Sequence, residues 1–529
     1  MPTEIQPSLE GLLEIISKDR SAYQPTELPN LYPIYKYVPN DSLTPHIAYL
    51  KLAHADNRLN HGVRSPSFLF ESAKNCDQIE RFSFIGVKPL KTIKTLSAEQ
   101  DESLRTPVSD IEEVGVEVDP LDVLEQNMKN FRQAPLPGIP ALSGGAIGYI
   151  SYDCIKYFEP KTRRELKDVL KLPESYLMLF NSVVAFDNVY QRLQIINNVS
   201  VEPHDTVETI TAKYQALSEE INLIKAVLLE DDVVLPEQPP IVADQPFTSN
   251  IGQEGYEGHV KTLKDHILKG DIIQAVPSQR ISRPTSLHPF NIYRHLRTVN
   301  PSPYLFYIDY LDFQIIGASP ELLVKSSTAN KVVTHPIAGT IRRGTTKDED
   351  DALAHELKSS LKDRAEHIML VDLARNDINR ICDPQTTSVD KLLTIERFSH
   401  VMHLVSEVSG TLRPDKSRFD AFRSIFPAGT VSGAPKVKAM ELIGKLEGER
   451  RGVYAGAVGH WGYDGRSMDT CIALRTMVYK DGVAYLQAGG GIVHDSDPYD
   501  EYIETMNKMK ANNDTIVEAE HFWAQDLQK

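Results

Sequence analysis

The stretch EDDVVLPEQPPIVADQPFTSN, near the middle of the chain, constrains the architecture more than any other feature. Pro236, Pro239, Pro240 and Pro246 each lack a backbone N–H and fix φ, so neither a helix nor a central strand can run through them. The chain therefore reads as an N-terminal region at 1–230, a linker or crossover at 231–252 and a C-terminal region at 253–529. Just before the prolines, Ile210, Tyr214, Leu217, Ile221, Ile224 and Leu228 recur at helical spacing and predict a helix over 205–229.

Upstream of that helix, SFLFESA, FSFIGVK, GAIGYISYD, LMLFNSVVAFDN and RLQIINNV are apolar, rich in aromatic or β-branched residues and bounded by turn formers. They predict an antiparallel sheet layer with few long helices. The C-terminal region alternates strand-like pieces (YLFYIDY, FQIIGASP, ELLVKSS, KVVTHPIAGT, GAVGHWGY, CIALRTMVY, VAYLQAGGGIV) with longer helical patterns. One has Val260, Leu263, Ile267 and Leu268 on its apolar stripe and ends at Gly270. Another spans DDALAHELKSSLKDRAEHIMLVDLARNDINRI, as one helix or two. The last opens with Asp497 as N-cap and Pro498 in the first turn, with a core stripe of Tyr502, Ile503, Met506 and Met509. The fold class is α+β.

A net charge of −16 argues against nucleic acid or an anionic membrane as the main partner. It also means that an anionic substrate needs locally placed cations. The 4 cysteines, Cys76, Cys154, Cys382 and Cys471, form no CxxC pair and fit free thiols in a reducing compartment. The N-terminus carries early acids and no apolar run, which speaks against a leader peptide, and no apolar stretch approaches the roughly 20 residues that span a bilayer. The expected compartment is the cytoplasm.

Two acidic doublets stand out. Asp363 and Glu366 lie three apart in KDRAEHIMLVDLARND, and Glu501 and Glu504 three apart in DPYDEYIETMNK. On a helix each doublet shares a face, so each can aim two carboxylates at one point, and hard oxygen ligands of this kind suit Mg²⁺. The plain alternative is a solvated helix face. Gly489, Gly490 and Gly491 precede the second doublet; they fit a backbone cradle for an anion, or equally a crowded strand crossing. Arg475, in the apolar run CIALRT, needs an anionic partner, either a substrate carboxylate or a structural acid. Tyr454 lies among small residues that leave room for a ligand. His403 sits in an apolar strand-like run, as a core histidine or as a group that polarises a leaving oxygen. Glu321, after Pro320 at a strand end, is either an exposed turn acid or a desolvated general acid.

The blocks FLFESA, GGAIGYISYD, GDIIQAVPSQR, NPSPYLFYI, GASPE, PIAGT, EHIMLVDLARND, VMHLVSEVSG, FPAGTVSGAPK, RGVYAGAVG, IALRT and AGGGIV together resemble the chorismate-utilising enzymes, and within them the large subunits of anthranilate synthase. The resemblance runs from about residue 65 to the C-terminus. It implies large antiparallel sheets packed as a sandwich with flanking helices. It implies Mg²⁺ at Glu366 and Glu504, with Asp363 and Glu501 nearby, holding the ring carboxylate of chorismate beside Gly489, Gly490 and Gly491. Tyr454 and Arg475 match residues on the enolpyruvyl side, Gly339 and Thr340 a turn against the ring, Glu321 the acid that protonates the departing C4 hydroxyl, and His403 its neighbour.

Two positions separate members of the family. Relatives that add water carry a lysine base at the position of Gln274; a neutral amide cannot take that proton, whereas ammonia needs no base. Aminodeoxychorismate synthases carry a nucleophilic lysine at Ala338, where a methyl group cannot attack. The expectation is amination at C2 and loss of pyruvate to give anthranilate, the first committed step of tryptophan biosynthesis. No cysteine lies in a Gly-x-Cys-x-Gly turn, so the resemblance implies a separate glutamine amidotransferase subunit as ammonia source. Ser72, Pro303, Tyr304 and Leu305 match a tryptophan feedback site, although Phe70 and Leu305 stand where relatives often have Leu and Met. A non-catalytic amino-acid sensor is the rival from another class.

Overall fold

Period-two alternation along the strands decides the layer order. In Tyr304–Asp309, Leu305 and Tyr307 enter one apolar cluster, while Phe306 and Ile308 enter another. In Ser175–Phe180, Tyr176, Met178 and Phe180 share that second cluster, whereas Leu177 and Leu179 face a third. These strands are apolar on both faces, so each sheet must be covered on both sides. The result is helices, sheet, sheet, helices. This computed structural model describes residues 4–24, 26–72, 81–96, 111–114, 118–398 and 401–526.

Among the described residues each of the two large sheets has 11 strands, and Gln274–Ala275 pairs separately with Gly433–Ala434. In the first, Ser67–Glu71 pairs with Tyr304–Asp309, followed by Gln314–Ser319, Thr476–Lys480, Val483–Gly489 and Ser278–Pro284. The middle of the second runs Val401–Thr411, Lys331–Thr334, Leu322–Ser326, Met468–Ile472, Ala457–Gly462, Gly145–Ile150 and Ser175–Phe180. Among the described residues every pairing of one strand with another is antiparallel except Lys91–Thr95 with Ile111–Val114. Strands from before and after the proline-rich stretch are neighbours in both sheets. Phe68, Phe306, Ile315, Tyr149, Val458 and Cys471 fill the space between them.

The helix over Val207–Leu228 carries the expected stripe, with Ile210, Ile221 and Leu228 buried. After it the chain runs irregularly to the short strand Thr248–Ser249. The helix Gly252–Leu268 buries Val260 and Leu263 and ends in a Schellman motif: Gly270 N–H donates to Ile267 O (2.9 Å), Asp271 N–H donates to His266 O (3.0 Å), and Gly270 has φ +78°. Leu268 is exposed, not in the stripe, because it falls well round the helix from Leu263. The acidic pattern around Ser360 is two helices, Lys347–Ser359 and Leu361–Asn379, the second capped by the Ser360 hydroxyl. Asp497 caps the final helix, Pro498–Asp526, by accepting from Tyr499 N–H (2.9 Å). Its buried line includes Thr505, Met509, Asn512 and Glu520, more polar than the expected stripe.

Three strand and helix expectations change. LMLFNSVVAFDN is two strands, Ser175–Phe180 and Val183–Asp187, in different sheets. The N-terminal region also has helices at Leu9–Ala22 and Pro45–Leu59 that cover the first sheet. Arg475 does not sit within a strand. It lies in the bend where the chain passes from Met468–Ile472 in the second sheet to Thr476–Lys480 in the first, with φ +47°. Cys154, Cys382 and Cys471 are free and buried, and Cys76 lies outside the described residues. Among the described residues no helix is long and apolar enough to cross a membrane.

Candidate active site

The chain crosses between the sheets at two adjacent places, and each crossing carries a charged residue. Glu321 lies between Gln314–Ser319 of the first sheet and Leu322–Ser326 of the second. Arg475 lies on the return crossing. Ile472 N–H donates to Glu321 O (3.0 Å) and Ala318 N–H to Arg475 O (3.2 Å), which fastens the two crossings together. A left-handed arginine is costly in isolation, and these bonds hold it there.

Glu321 is 5% exposed. Burial pushes its carboxyl up to about 8, against weaker opposing effects from the Thr430 hydroxyl, the Ile337 N–H and the Arg475 charge. Thr430 Oγ1 donates to Glu321 Oε1 at 3.0 Å. A cavity of about 20 Å³, lined by Glu321, Thr430, Pro336, Leu370 and Ala428, has room for about one water beside it. The Arg475 guanidinium has no hydrogen-bond partner among the described residues, so its fork is available to an anion.

His403 stands on Val401–Thr411 opposite Thr340 of Ile337–Arg342. The register shifts between Ala338 and Thr340, and Gly339 has φ +68°; this bulge brings the Gly339 carbonyl and Thr340 hydroxyl to His403 Nδ1, at 3.1 and 3.0 Å. A carbonyl only accepts, so Nδ1 carries the proton and Nε2 presents a lone pair. Nε2 is buried without a partner among the described residues. Burial, helped by the Arg475 charge, lowers His403 to about 4, so the ring is neutral at physiological pH.

The glycine triplet ends Val483–Gly489. None of the three takes a positive φ; crowding is what demands glycine. A Cβ at Gly489 would overlap Pro277 O and reach Tyr454 Oη at 3.2 Å. One at Gly490 would lie 2.8 Å from Glu501 Oε2 and 3.8 Å from Glu504 Oε1. One at Gly491 would overlap the Gln274 amide and lie 3.4 Å from Glu366 Oε1. Three carboxylates from the two helices thus flank one turn of backbone. Asp363 lies instead against Gly339, its Oδ1 3.2 Å from where a Cβ would stand. Gly490→Ala is expected to displace Glu501 and lower turnover about tenfold or more while the strand still forms; ordinary kinetics in that variant would show that the turn has slack.

The carboxylates are individually held. Gln274 Nε2 donates to Glu366 Oε1 (2.8 Å), Ser496 Oγ to Glu501 Oε1 (2.6 Å), and Lys508 pairs with Glu504 Oε1 (2.7 Å) while also donating to Gly489 O (2.9 Å). Among the described residues no three acidic, histidine or cysteine side chains form a ready-made metal cage. Glu501 Oε2, however, is buried with no partner among them, and burial together with the Glu504 charge raises its carboxyl. An orphaned oxygen beside two further carboxylates fits a hard cation.

The candidate inhibitor residues lie on the first sheet. Glu71 pairs with Leu305, which places Ser72 beside the Pro303–Tyr304 turn. Ser72 Oγ is buried without a partner among the described residues, and Tyr304 Oη donates to Asp469 (3.1 Å). Leu305 faces the outer, helix-covered core, so only its backbone could meet a ligand on the Tyr304 side. Thr430, Lys508 and Tyr256, whose hydroxyl accepts from Gly490 N–H (3.1 Å), were not foreseen. Lys508 alone left a signal, its spacing of four from Glu504.

A family profile described as chorismate binding enzyme matches residues 65–514. The chain is 65% identical over 524 residues to the anthranilate synthase component 1 of Saccharomyces cerevisiae, covering 98% of each. The chain belongs to the anthranilate synthase component 1 family of chorismate-binding enzymes. It is 53% identical to the probable anthranilate synthase component 1 of Schizosaccharomyces pombe, with 99% of each chain covered. Its fold matches the crystal structure of anthranilate synthase component I from Streptococcus pneumoniae with a TM-score of 0.68 at 36% identity, over 83% of this chain and 95% of that one. The menaquinone-specific isochorismate synthase of Escherichia coli shares the fold at 17% identity, with a TM-score of 0.67 over 96% of this chain and 99% of that one. The family's sheets and helices are those expected from the resemblance.

Proposed function

We propose that the chain is the large subunit of an anthranilate synthase, converting chorismate and ammonia to anthranilate, pyruvate and water under tryptophan feedback. The observation that supports this most is the buried acid at the sheet crossing. With its carboxyl raised to about 8, Glu321 is protonated at neutral pH and can deliver that proton to the C4 hydroxyl as it departs as water. The bare Nε2 of His403 accepts from the same hydroxyl and turns its lone pairs toward Glu321. Arg475 takes the enolpyruvyl carboxylate on its fork, Tyr454 closes that side, and the Gly489–Gly491 backbone and the Gly339–Thr340 bulge bracket the ring. Glu366 and Glu504, with Glu501 and Asp363 nearby, would hold Mg²⁺, which when bound supplies Lewis-acid withdrawal at the ring carboxylate.

Gln274 and Ala338 select the reaction. The Gln274 amide is neutral and donates to Glu366, so it cannot activate water, while ammonia attacks C2 unaided. Ala338, at the bulge, offers no nucleophile. Loss of the C2 proton, for which deprotonated Glu321 is a candidate base, expels pyruvate and aromatises the ring. A separate glutamine amidotransferase subunit supplies the ammonia. Chorismate, Mg²⁺ and ammonium with the purified chain should yield fluorescent anthranilate and an equal amount of pyruvate. A product whose mass retains the enolpyruvyl group, or no turnover at all, refutes the reading.

The Ser72 hydroxyl, without a partner among the described residues, supports a tryptophan site beside the Pro303–Tyr304 turn. Ser72→Leu is expected to raise the tryptophan concentration needed for half-inhibition at least tenfold, the equivalent of about 1.4 kcal/mol of binding, with uninhibited turnover nearly unchanged. Inhibition identical to the parent's would dismiss this location.

A further inference from the structure

One buried ion pair anchors segments that lead to several groups of the site without entering it. Glu447 ends the helix Lys436–Glu447, and Arg451 follows the left-handed Gly448. Arg451 is 2% exposed. Its Nε donates to Glu447 Oε2 (2.8 Å) and one Nη2 hydrogen to Glu447 Oε1 (2.7 Å), a bidentate fork. Nη1 donates to Val431 O (2.9 Å) and Nη2 also to Val276 O (2.7 Å). Glu447 Oε1 in turn accepts from Ser278 N–H (2.7 Å) and Ser278 Oγ (2.8 Å).

Each anchored segment leads directly to a working group. Val431 follows Thr430, whose hydroxyl holds Glu321. Val276 ends the short run that begins at Gln274, which holds Glu366; within it Ala275 exchanges hydrogen bonds with Ile492, next to Gly491. Ser278 pairs with Gly489 across the first sheet. Tyr454 has its ring 5.5 Å from the Arg451 guanidinium.

Stability alone is a weak reason to keep such a pair, because the cost of desolvating both charges offsets their attraction and apolar replacements often do as well. What apolar side chains cannot do is direct several hydrogen bonds to two separate backbone segments, 276–278 and the one at Val431. We propose that Arg451 and Glu447 are positioning residues that set the relative placement of Thr430, Gln274, Gly489 and Tyr454. The inference rests on the roles assigned to those groups above.

The test compares Arg451→Lys and the double variant Arg451→Met with Glu447→Met against the parent enzyme, whose own turnover first establishes the reaction. Lysine keeps the charge but not the planar fork. Misplacement of about 1 Å is enough to cost about 100-fold. Both variants are therefore expected to melt within about 5 °C of the parent, yet to lose about 100-fold in kcat/KM for chorismate. Loosening Thr430 from Glu321 is expected to move the basic limb of the kcat/KM profile upward by about half a pH unit. A purely structural pair gives the opposite pattern: a lower melting temperature with normal kcat/KM and an unmoved profile in the folded fraction. That result in either variant overturns the proposal, and if the double variant does not fold, the Arg451→Lys profile decides alone.

Discussion

Glu321→Gln is expected to abolish nearly all turnover while making the protein harder to unfold. A positioned general acid contributes about 10²–10⁴-fold, so kcat with ammonium should fall by about 10³. The carboxyl is buried, and its folded value near 8 lies far above the ordinary 4.5. A raised carboxyl contributes stability that is fully present below about 4.5 and is lost as the pH rises through 8, because the unfolded chain ionises first. At pH 7 this loss amounts to roughly 3 kcal/mol. Glutamine keeps an oxygen for Thr430 and never ionises, so the variant should melt higher than the parent at pH 7–8 and equally at pH 4. The parent's kcat/KM should decline above a pH near 8 as the free acid loses its proton. A variant that retains activity, or one whose stability gain does not grow with pH, removes Glu321 from the acid role.

Glu504→Gln tests the other side of the pocket. Glu504 is half exposed and paired only with Lys508 among the described residues, so the fold should not depend on it. Turnover with ammonium is nonetheless expected to drop by about 10² or more, because an amide is a poor ligand for a hard cation. The Mg²⁺ concentration for half-maximal activity should rise with it, while the thermal midpoint without metal stays close to the parent's. Near-normal turnover and an unmoved Mg²⁺ dependence would take Glu504 out of the metal site.

Local chemistry was the legible part of this molecule. The acid doublets could be read because three residues on a helix return to one face, and the triplet because three successive glycines in an apolar run need a cause. Structure gave that cause as crowding by Pro277, Gln274 and Glu501. Arg475 was misplaced because CIALRTMVY has no glycine or proline to mark the bend, and the strain there is carried by an arginine. Arg451 was invisible because EGERRG reads as a solvated turn, just as Glu520, buried against Arg283 and Thr285, reads as a helix surface. The pairing of Ser67–Glu71 with Tyr304–Asp309, or of Gly145–Ile150 with Ala457–Gly462, left no trace, because periodicity names a strand's faces but not its neighbours.

That sharing of both sheets between the two halves of the chain carries an engineering consequence. A gene split between codons for 230 and 247 would yield two polypeptides, each lacking one side of both sheets and each left with bare strand edges where Ser67–Glu71 meets Tyr304–Asp309 and Gly145–Ile150 meets Ala457–Gly462, so neither half is expected to fold as a free-standing catalyst or a free-standing sensor. Only fragment complementation, each piece completing the other, could restore the enzyme. Under the proposed tryptophan feedback, desensitisation would therefore be a matter of point substitutions, never of truncation.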